Sequence, residues 1–154
     1  MAEPKFNTPP PGEHWPHTWV VVGDLVISLT QEGTIPDHVW DRFVADAGRD
    51  EVKRMLGLGF GVISVNGRQR RSLVLAMRDN ERRAGVLGSS VARGIATALS
   101  WMGTKIRAYP WTDVAGAFDY LESPGLDIDD GIAIVEELLR RSKAPTIDEL
   151  AKQS

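Results

Sequence analysis

Residues 83–121 read RAGVLGSSVARGIATALSWMGTKIRAYPWTDVAGAFDYL. Two short runs within this stretch, AGVL at 84–87 and KIRAY at 105–109, are typical of β-strands. Each run is followed by apolar residues at helical spacing, the first over 91–102 and the second over 114–121. Neighbouring parallel strands cannot be joined by a tight turn, so they need a helical crossover. The alternation of strand and helix therefore predicts a parallel sheet covered by helices.

The same alternation extends towards the N-terminus. Residues 19–22 and 25–29 predict two strands joined by a Gly-Asp hairpin pair, and one long bulged strand is the alternative. A helix is predicted over 34–48, with Thr34 as its cap and Pro36 in its first turn. The chain therefore begins with a hairpin rather than with a crossover.

Further elements complete the pattern. A buried strand is predicted over 58–65, centred on the β-branched run at 62–65, and a helix follows over 69–80. A long amphipathic helix is predicted over 128–142. The capping-box pattern at 146–149 predicts one more short helix.

The element order is β-β-α-β-α-β-α-β-α. It predicts the α/β class, as a single domain with a mixed, mainly parallel sheet of about five strands and helices packed on it. The predicted boundaries are a proline-rich N-terminal arm over 1–17, the α/β domain over 18–142 and a C-terminal tail over 143–154. Five prolines in the arm disfavour helix and predict an extended, polyproline-like conformation.

Composition excludes several classes of protein. The chain has no cysteine, which excludes disulfides, thiolate zinc sites and a cysteine nucleophile. With 18 basic and 21 acidic residues the net charge is −3, so nucleic acid is not an expected partner. No apolar stretch is long enough for a membrane span, and the first residues do not resemble a signal peptide. These features predict a cytoplasmic location.

Two segments carry a resemblance to a known family. AGVLGSS at 84–90 resembles a strand that ends in a Gly-Asp-Ser-like turn before a helix. IRAY at 106–109, followed by Ala117 and Leu121, resembles the next strand and helix. These motifs are similar to those of the STAS-like family of small bacterial proteins, which are relatives of anti-sigma-factor antagonists. The resemblance covers residues 25–121.

The resemblance implies a STAS-like fold and a non-enzymatic bacterial regulatory or scaffolding domain that acts by binding another protein. A carrier of a small apolar or anionic ligand is the alternative, and a phosphoserine-switched anti-sigma-factor antagonist is a weaker one. In those antagonists the phosphorylated serine lies at the turn after the third strand. This chain has residues 64–68 there and no Asp-Ser-Ser sequence, so the switch is not transferred by position.

An anion-binding or phosphorylation site is predicted where the helix after residue 88 begins. Ser89 and Ser90 place hydroxyls beside the free N–H groups of a helix N-terminus, and Arg93 is close in sequence. A simple serine N-cap is the alternative.

Contacts with a protein partner are predicted at aromatic and proline residues. Trp15 lies in the arm near Pro10 and Pro11, and Trp111 follows the strand at 105–109. Tryptophan is frequent at the centre of interfaces, and proline reduces the entropy lost on docking. We expect the partner to be another protein or a second copy of this chain. Contact with its own domain is the alternative for Trp15.

No metal, cofactor or catalytic group is expected from the remaining motifs. His14, His17 and His38 lack the spacing of a helical metal pair, and surface positions are predicted for them. The three glycines within 57–61 precede the predicted strand instead of following one. That order argues against a phosphate-binding loop and favours close backbone packing or a bulge. We therefore expect a protein that is not an enzyme.

Overall fold

The computed structural model describes residues 3–77, 82–88 and 105–153. These residues form one six-stranded sheet whose spatial order follows the chain. The strands are β1 Lys5–Asn7, β2 His17–Val22, β3 Leu25–Thr30, β4 Arg54–Gly59, β5 Arg83–Leu87 and β6 Lys105–Tyr109. β2 pairs antiparallel with β1 and β3, whereas β3, β4, β5 and β6 are parallel. The predicted α/β class with a mixed, mostly parallel sheet is confirmed.

Helices lie on both faces of this sheet. They are α1 Asp37–Ala47, α2 Gly67–Met77, α3 Val114–Leu121, α4 Ile128–Arg141 and α5 Ile147–Lys152, with a 3₁₀ turn at Trp111–Asp113 before α3. α1 and α2 pack together on one face, and α3, α4 and α5 pack on the other. We call these the α1 face and the α3 face. None of the described helices is long and apolar enough to cross a lipid bilayer.

The alternation of side chains along β2 and β3 divides the core between the two faces. Trp19 and Val26 are buried on the α1 face, in one cluster with Val39 and Phe43 of α1. The alternate residues, Val20 and Val22 of β2 with the odd-numbered residues of β3, point the other way and join the larger core under α3 and α4. β3 contributes three fully buried side chains to that larger core: Leu25, Ile27 and Leu29. A strand with neighbours at both edges and helices on both faces has this composition.

The strand predicted over 58–65 is wrong in its position. β4 begins at Arg54 and ends at Gly59, opposite Thr30, the last residue of β3. Residues 60–66 form a loop instead, in which Val62 is 70% exposed. The β-branched residues of this loop favour a strand by propensity, but β3 offers no residues beyond Thr30 for them to pair with.

The predicted helix starts have different outcomes. Thr34 does not cap α1, because it forms an isolated bridge with Ser64 and the helix begins only after Pro36. The capping box of α5 is confirmed. The Glu149 N–H donates to Thr146 Oγ1 at 3.2 Å, and the Thr146 N–H donates to the Glu149 carboxylate at 3.3 Å.

Part of the N-terminal arm belongs to the sheet. β1 pairs antiparallel with β2, with Phe6 opposite Val20, and Phe6 packs against the core of the α3 face. The Arg141 guanidinium of α4 lies 4.1 Å from the centroid of the Phe6 ring. The prediction of a polyproline-like arm is therefore wrong for Lys5–Asn7, and these residues supply a strand that the prediction of about five did not include.

Close packing of α3 and α4 requires a glycine on α4. A Cβ at Gly131 would lie 2.6 Å from Cε1 of Phe118. We expect Gly131→Ala to lower the free energy of unfolding by about 1–3 kcal/mol, although alanine favours helix, because overpacking would displace the ring or the helix. Urea unfolding followed by circular dichroism measures the loss. In a Phe118→Leu background the loss should be smaller, and an equal loss in both backgrounds would contradict the explanation.

Candidate ligand-binding site

A cavity of about 160 Å³ lies between the α1 face of the sheet and helices α1 and α2. β3 and β4 contribute its floor, and Trp40 and Phe43 of α1 contribute one wall. Ile63 and Val65 of the 60–66 loop, residues of α2, Val86 of β5 and His17 of β2 also line it. Most of this surface is carbon from aliphatic and aromatic side chains.

Glycines of β4 shape the floor of the cavity. A Cβ at Gly57 would have no neighbour closer than Val86 Cγ2 at 3.8 Å, so a longer side chain there would extend into the cavity. A Cβ at Gly59 would lie 2.6 Å from Cδ1 of Ile63, so the absence of a side chain lets Ile63 fold onto the strand. Close packing is thus confirmed at Gly59. These two glycines lie within β4 and ahead of α2, so the predicted order of glycines and strand is wrong.

His17, the first residue of β2, is a buried polar residue in this lining. It is 1% exposed, and its ring centroid lies 4.3 Å from that of Phe43 and 4.9 Å from that of Trp40. Its Nδ1 lies 3.1 Å from the hydroxyl of Thr30, the residue opposite it on β3. Its Nε2 has no hydrogen-bond partner among the described residues. Burial lowers the pKa of His17 to about 3, so the imidazole is neutral at pH 7.

Hydrogen bonds between α1 and α2 fix the Trp40 wall. The indole Nε1 of Trp40 donates to the Gln69 carbonyl at 2.9 Å and to the Ser72 hydroxyl at 3.0 Å. Gln69 is itself buried, and its amide donates to the Ile35 carbonyl at 2.9 Å. Asn66 accepts a bond from the Gln69 N–H at 2.8 Å and so holds the start of α2. The wall is therefore organised by the protein itself, which reduces the entropy lost when a ligand binds.

Charged groups contribute little to this site. Among the described lining residues the charged side chain is Arg70, on an exposed position of α2, and no carboxylate is present. Over the described ranges no cluster of three or more His, Asp or Glu residues could hold a metal ion. The site offers apolar contact and the hydroxyls of Ser28 and Thr30. The unpaired imidazole nitrogen of His17 is buried.

The structure changes the set of predicted partner contacts. Trp111 is only 2% exposed and its indole N–H donates to the Gly59 carbonyl at 3.2 Å, so the prediction of an exposed contact residue is wrong. It lies in the 3₁₀ turn after β6 and packs into the core of the α3 face. Trp15 is half-buried and stacks on Trp19 at a centroid distance of 6.4 Å. Pro10 and Pro11 are exposed.

The predicted anion or phosphorylation site falls in a part of the chain that the structure does not describe. Ser89, Ser90 and Arg93 lie outside the described residues, as does the helix predicted over 91–102. The site stays a prediction from the sequence.

The predicted surface position of His17 is wrong. The arm was expected to extend through residue 17, but β2 already begins there. A signal for this boundary exists in the sequence: extending the period-2 pattern back from Val21 and Trp19 places His17 on the same face of the strand. Its burial then depends on α1, which that local pattern does not reveal.

A buried neutral His17 makes stability depend on pH in mild acid. The unfolded chain binds the proton with an ordinary pKa near 6.5, whereas the folded chain binds it only near pH 3. Between these values the unfolded state holds more protons, so the free energy of unfolding falls as the pH falls. We expect a loss of about 2 kcal/mol between pH 7 and pH 5, measured by urea unfolding at both pH values.

His17→Leu should lose most of this pH dependence, whatever its stability at pH 7. His38→Leu, at an exposed position of α1, is the matched control and should retain it. Hydrogen bonds from Arg140 and Arg141 lower the pKa of Glu137 to about 2, so that carboxylate titrates below this window. An unchanged pH dependence in His17→Leu would show that the imidazole is not held neutral by burial.

Comparison with protein-family models, with curated proteins and with solved structures finds no match to this chain. The resemblance to STAS-like proteins therefore stays a prediction. A function for the chain has to be inferred from the cavity and its chemistry.

Proposed function

We propose that this chain is a small-ligand-binding domain, a carrier or sensor, that holds a neutral and mainly apolar molecule in the cavity beside His17. The observation that carries the proposal is a cavity of about 160 Å³ with an apolar lining and one buried, unpaired polar atom. Ligand sites typically combine an apolar surface with a few polar groups that orient the ligand. An engineered apolar cavity of about 150 Å³ in another protein binds benzene, so a single aromatic ring is the expected ligand size.

The lining favours a neutral ligand over an anionic one. The imidazole of His17 is neutral at pH 7 and offers no positive charge inside the cavity. Arg70 is exposed, so its guanidinium can remain in water at the edge of the lining. Moving a charged group into a mainly carbon-lined space costs far more free energy than a cation that remains solvated returns.

Small-ligand binding is one of the roles that the STAS-like resemblance implies, and it does not require catalysis. Binding of another protein was the first expectation from the sequence. Four residues were proposed to contact that partner, and two of them pack against the domain instead: Trp111 in the core and Trp15 on Trp19. Pro10 and Pro11 are the two that are exposed. Regulation through a protein partner stays a prediction that a ligand-binding role does not exclude.

Toluene is a suitable first probe, because it is neutral, contains one ring and has no hydrogen-bonding group. We expect it to bind with a dissociation constant of about 1 mM or lower, since burial of its carbons is favourable. Titration followed by ¹H–¹⁵N NMR measures the affinity and shows which backbone amides respond. The amides of β2, β3, β4 and α1 around the cavity should shift first. Shifts spread over the surface, or none, would overturn the proposal.

Gly57→Val should abolish toluene binding without loss of stability. A β-branched residue suits a strand, and the nearest atom to the new Cβ would be 3.8 Å away, so the Cβ is accommodated and we expect the methyl groups to extend into the cavity. Gly85→Ala is the matched control: this glycine lies on the neighbouring strand opposite Leu56, and its Cβ would contact Leu56 and Leu121 on the α3 face. Equal toluene affinity in Gly57→Val and wild type would place the ligand elsewhere.

A further inference from the structure

The hydroxyl group of Ser28 on β3 has no hydrogen-bond partner within the part of the chain that the structure describes. Ser28 is 3% exposed and lines the cavity. A buried polar group without a partner is uncommon and calls for an explanation. The Ser28 Oγ atom is not one of the unpaired atoms that the protein encloses completely, so it remains open to the cavity. A group on a bound molecule can therefore reach it and form the missing hydrogen bond.

The strand register shows where such a molecule would lie. Ser28 is opposite Gly57 of β4, and Gly57 is opposite Val86 of β5. A Cβ at Gly57 would be 4.0 Å from Ser28 Oγ and 3.8 Å from Val86 Cγ2. Three neighbouring strands therefore present a hydroxyl, a gap without a side chain and a methyl group. A flat molecule over this gap meets a polar atom at its β3 end and carbon at its β5 end.

The second hydroxyl of the floor is placed differently. Thr30 Oγ1 lies 3.1 Å from His17 Nδ1, so it already has a partner within the protein. Thr30 is opposite Gly59, and Ile63 occupies the space over that glycine, since a Cβ there would be 2.6 Å from Ile63 Cδ1. Ser28 is thus the floor hydroxyl that is both unbonded and next to free space.

We propose, on the basis of the function proposed above, that the ligand is a small neutral ring compound with one oxygen group and that Ser28 gives the cavity its specificity for it. The oxygen hydrogen-bonds to Ser28 Oγ, and the opposite edge of the ring points towards Val86. A serine hydroxyl both donates and accepts, so a phenol-type hydroxyl or a carbonyl can be its partner. A hydrocarbon of the same size leaves the hydroxyl of Ser28 unpaired, which costs free energy.

Phenol and toluene test this orientation in the wild-type protein, because the two molecules have nearly the same shape. Each is titrated into the full chain, and isotope-filtered NOE spectra record the contacts of its protons with the protein. In bound phenol, the proton opposite the hydroxyl should contact the methyl groups of Val86, and the protons beside the hydroxyl should contact Ser28. Toluene has no group that pairs with Ser28, so both of its ends should contact Val86. The reverse orientation of phenol, or no preferred one, would overturn the inference.

Ser28→Ala gives an independent measurement through the affinities. Loss of the hydrogen bond should weaken phenol relative to toluene by about tenfold, and retained toluene binding shows that the cavity is intact in the variant. Ser64→Ala is the matched control: it removes the hydroxyl of an exposed serine in the 60–66 loop, outside the described lining, and should leave the ratio of the two affinities unchanged. An unchanged ratio in Ser28→Ala, or an equal fall in both variants, would contradict the pairing with Ser28.

The outcomes separate this inference from the proposed function. If toluene binds in the cavity but the ratio of affinities is the same in wild type and Ser28→Ala, the function stands and the role of Ser28 is wrong. A ratio that falls in Thr30→Val but not in Ser28→Ala would assign the oxygen to Thr30 and would also overturn the inference. If neither compound binds at the cavity, both proposals are overturned.

Discussion

β3 is paired along its whole length on both edges, antiparallel to β2 and parallel to β4, and this pairing determines which residues of β2, β3 and β4 face the cavity. It places Thr30 opposite His17 on one side and opposite Gly59 on the other. A shift of either neighbour by one residue would turn its side chains to the other face of the sheet. His17 would then leave the cavity, and Gly57 would no longer form the floor. The apolar residues of the two neighbours resist such a shift, because the burial of Val20, Leu56 and Leu58 on the α3 face depends on the same register.

The two faces of the sheet are filled differently, and the difference explains why the cavity is where it is. On the α3 face, β3 and β4 present large aliphatic side chains, including Ile27, Leu56 and Leu58, which are buried. On the α1 face the same two strands present Ser28 and Gly57. Protein interiors are normally packed to crystal density, so two small residues side by side on adjacent strands leave a space unless the helix above them moves closer. Trp40 of α1 is bonded to α2, and this bonding keeps α1 from moving closer to the sheet.

The sequence pattern predicted the strands and the helix cap that local periodicity determines. It missed the strand boundary and the side-chain positions that depend on contacts between distant segments. The strands at 84–87 and 105–109 and the capping box at Thr146 are local signals, and they are present in the structure as β5, β6 and the start of α5. The boundary of β4 was missed because its own residues include two glycines of low strand propensity, while the following loop is rich in β-branched residues. The orientation of Trp111 and the burial of His17 were missed because each depends on an element far away in the chain. The cavity itself is a space without side chains at the junction of sheet, loop and two helices, and no local pattern describes such a space.

The packing role of His17 does not by itself require a histidine. A residue that only filled the space between Trp40 and Phe43 could be leucine or phenylalanine, which would bury no polar atom and would not lose stability in mild acid. The bond from Nδ1 to Thr30 accounts for one polar atom of the ring but leaves Nε2 unexplained. A neutral imidazole with one nitrogen bonded to the protein and the other buried without a partner lowers the stability of the fold, because a buried polar atom has lost its bonds to water. Residues that lower the stability of a fold occur most often at functional sites. In the described part of this chain, His17 has a buried ring nitrogen without a hydrogen bond and lines a cavity of ligand size.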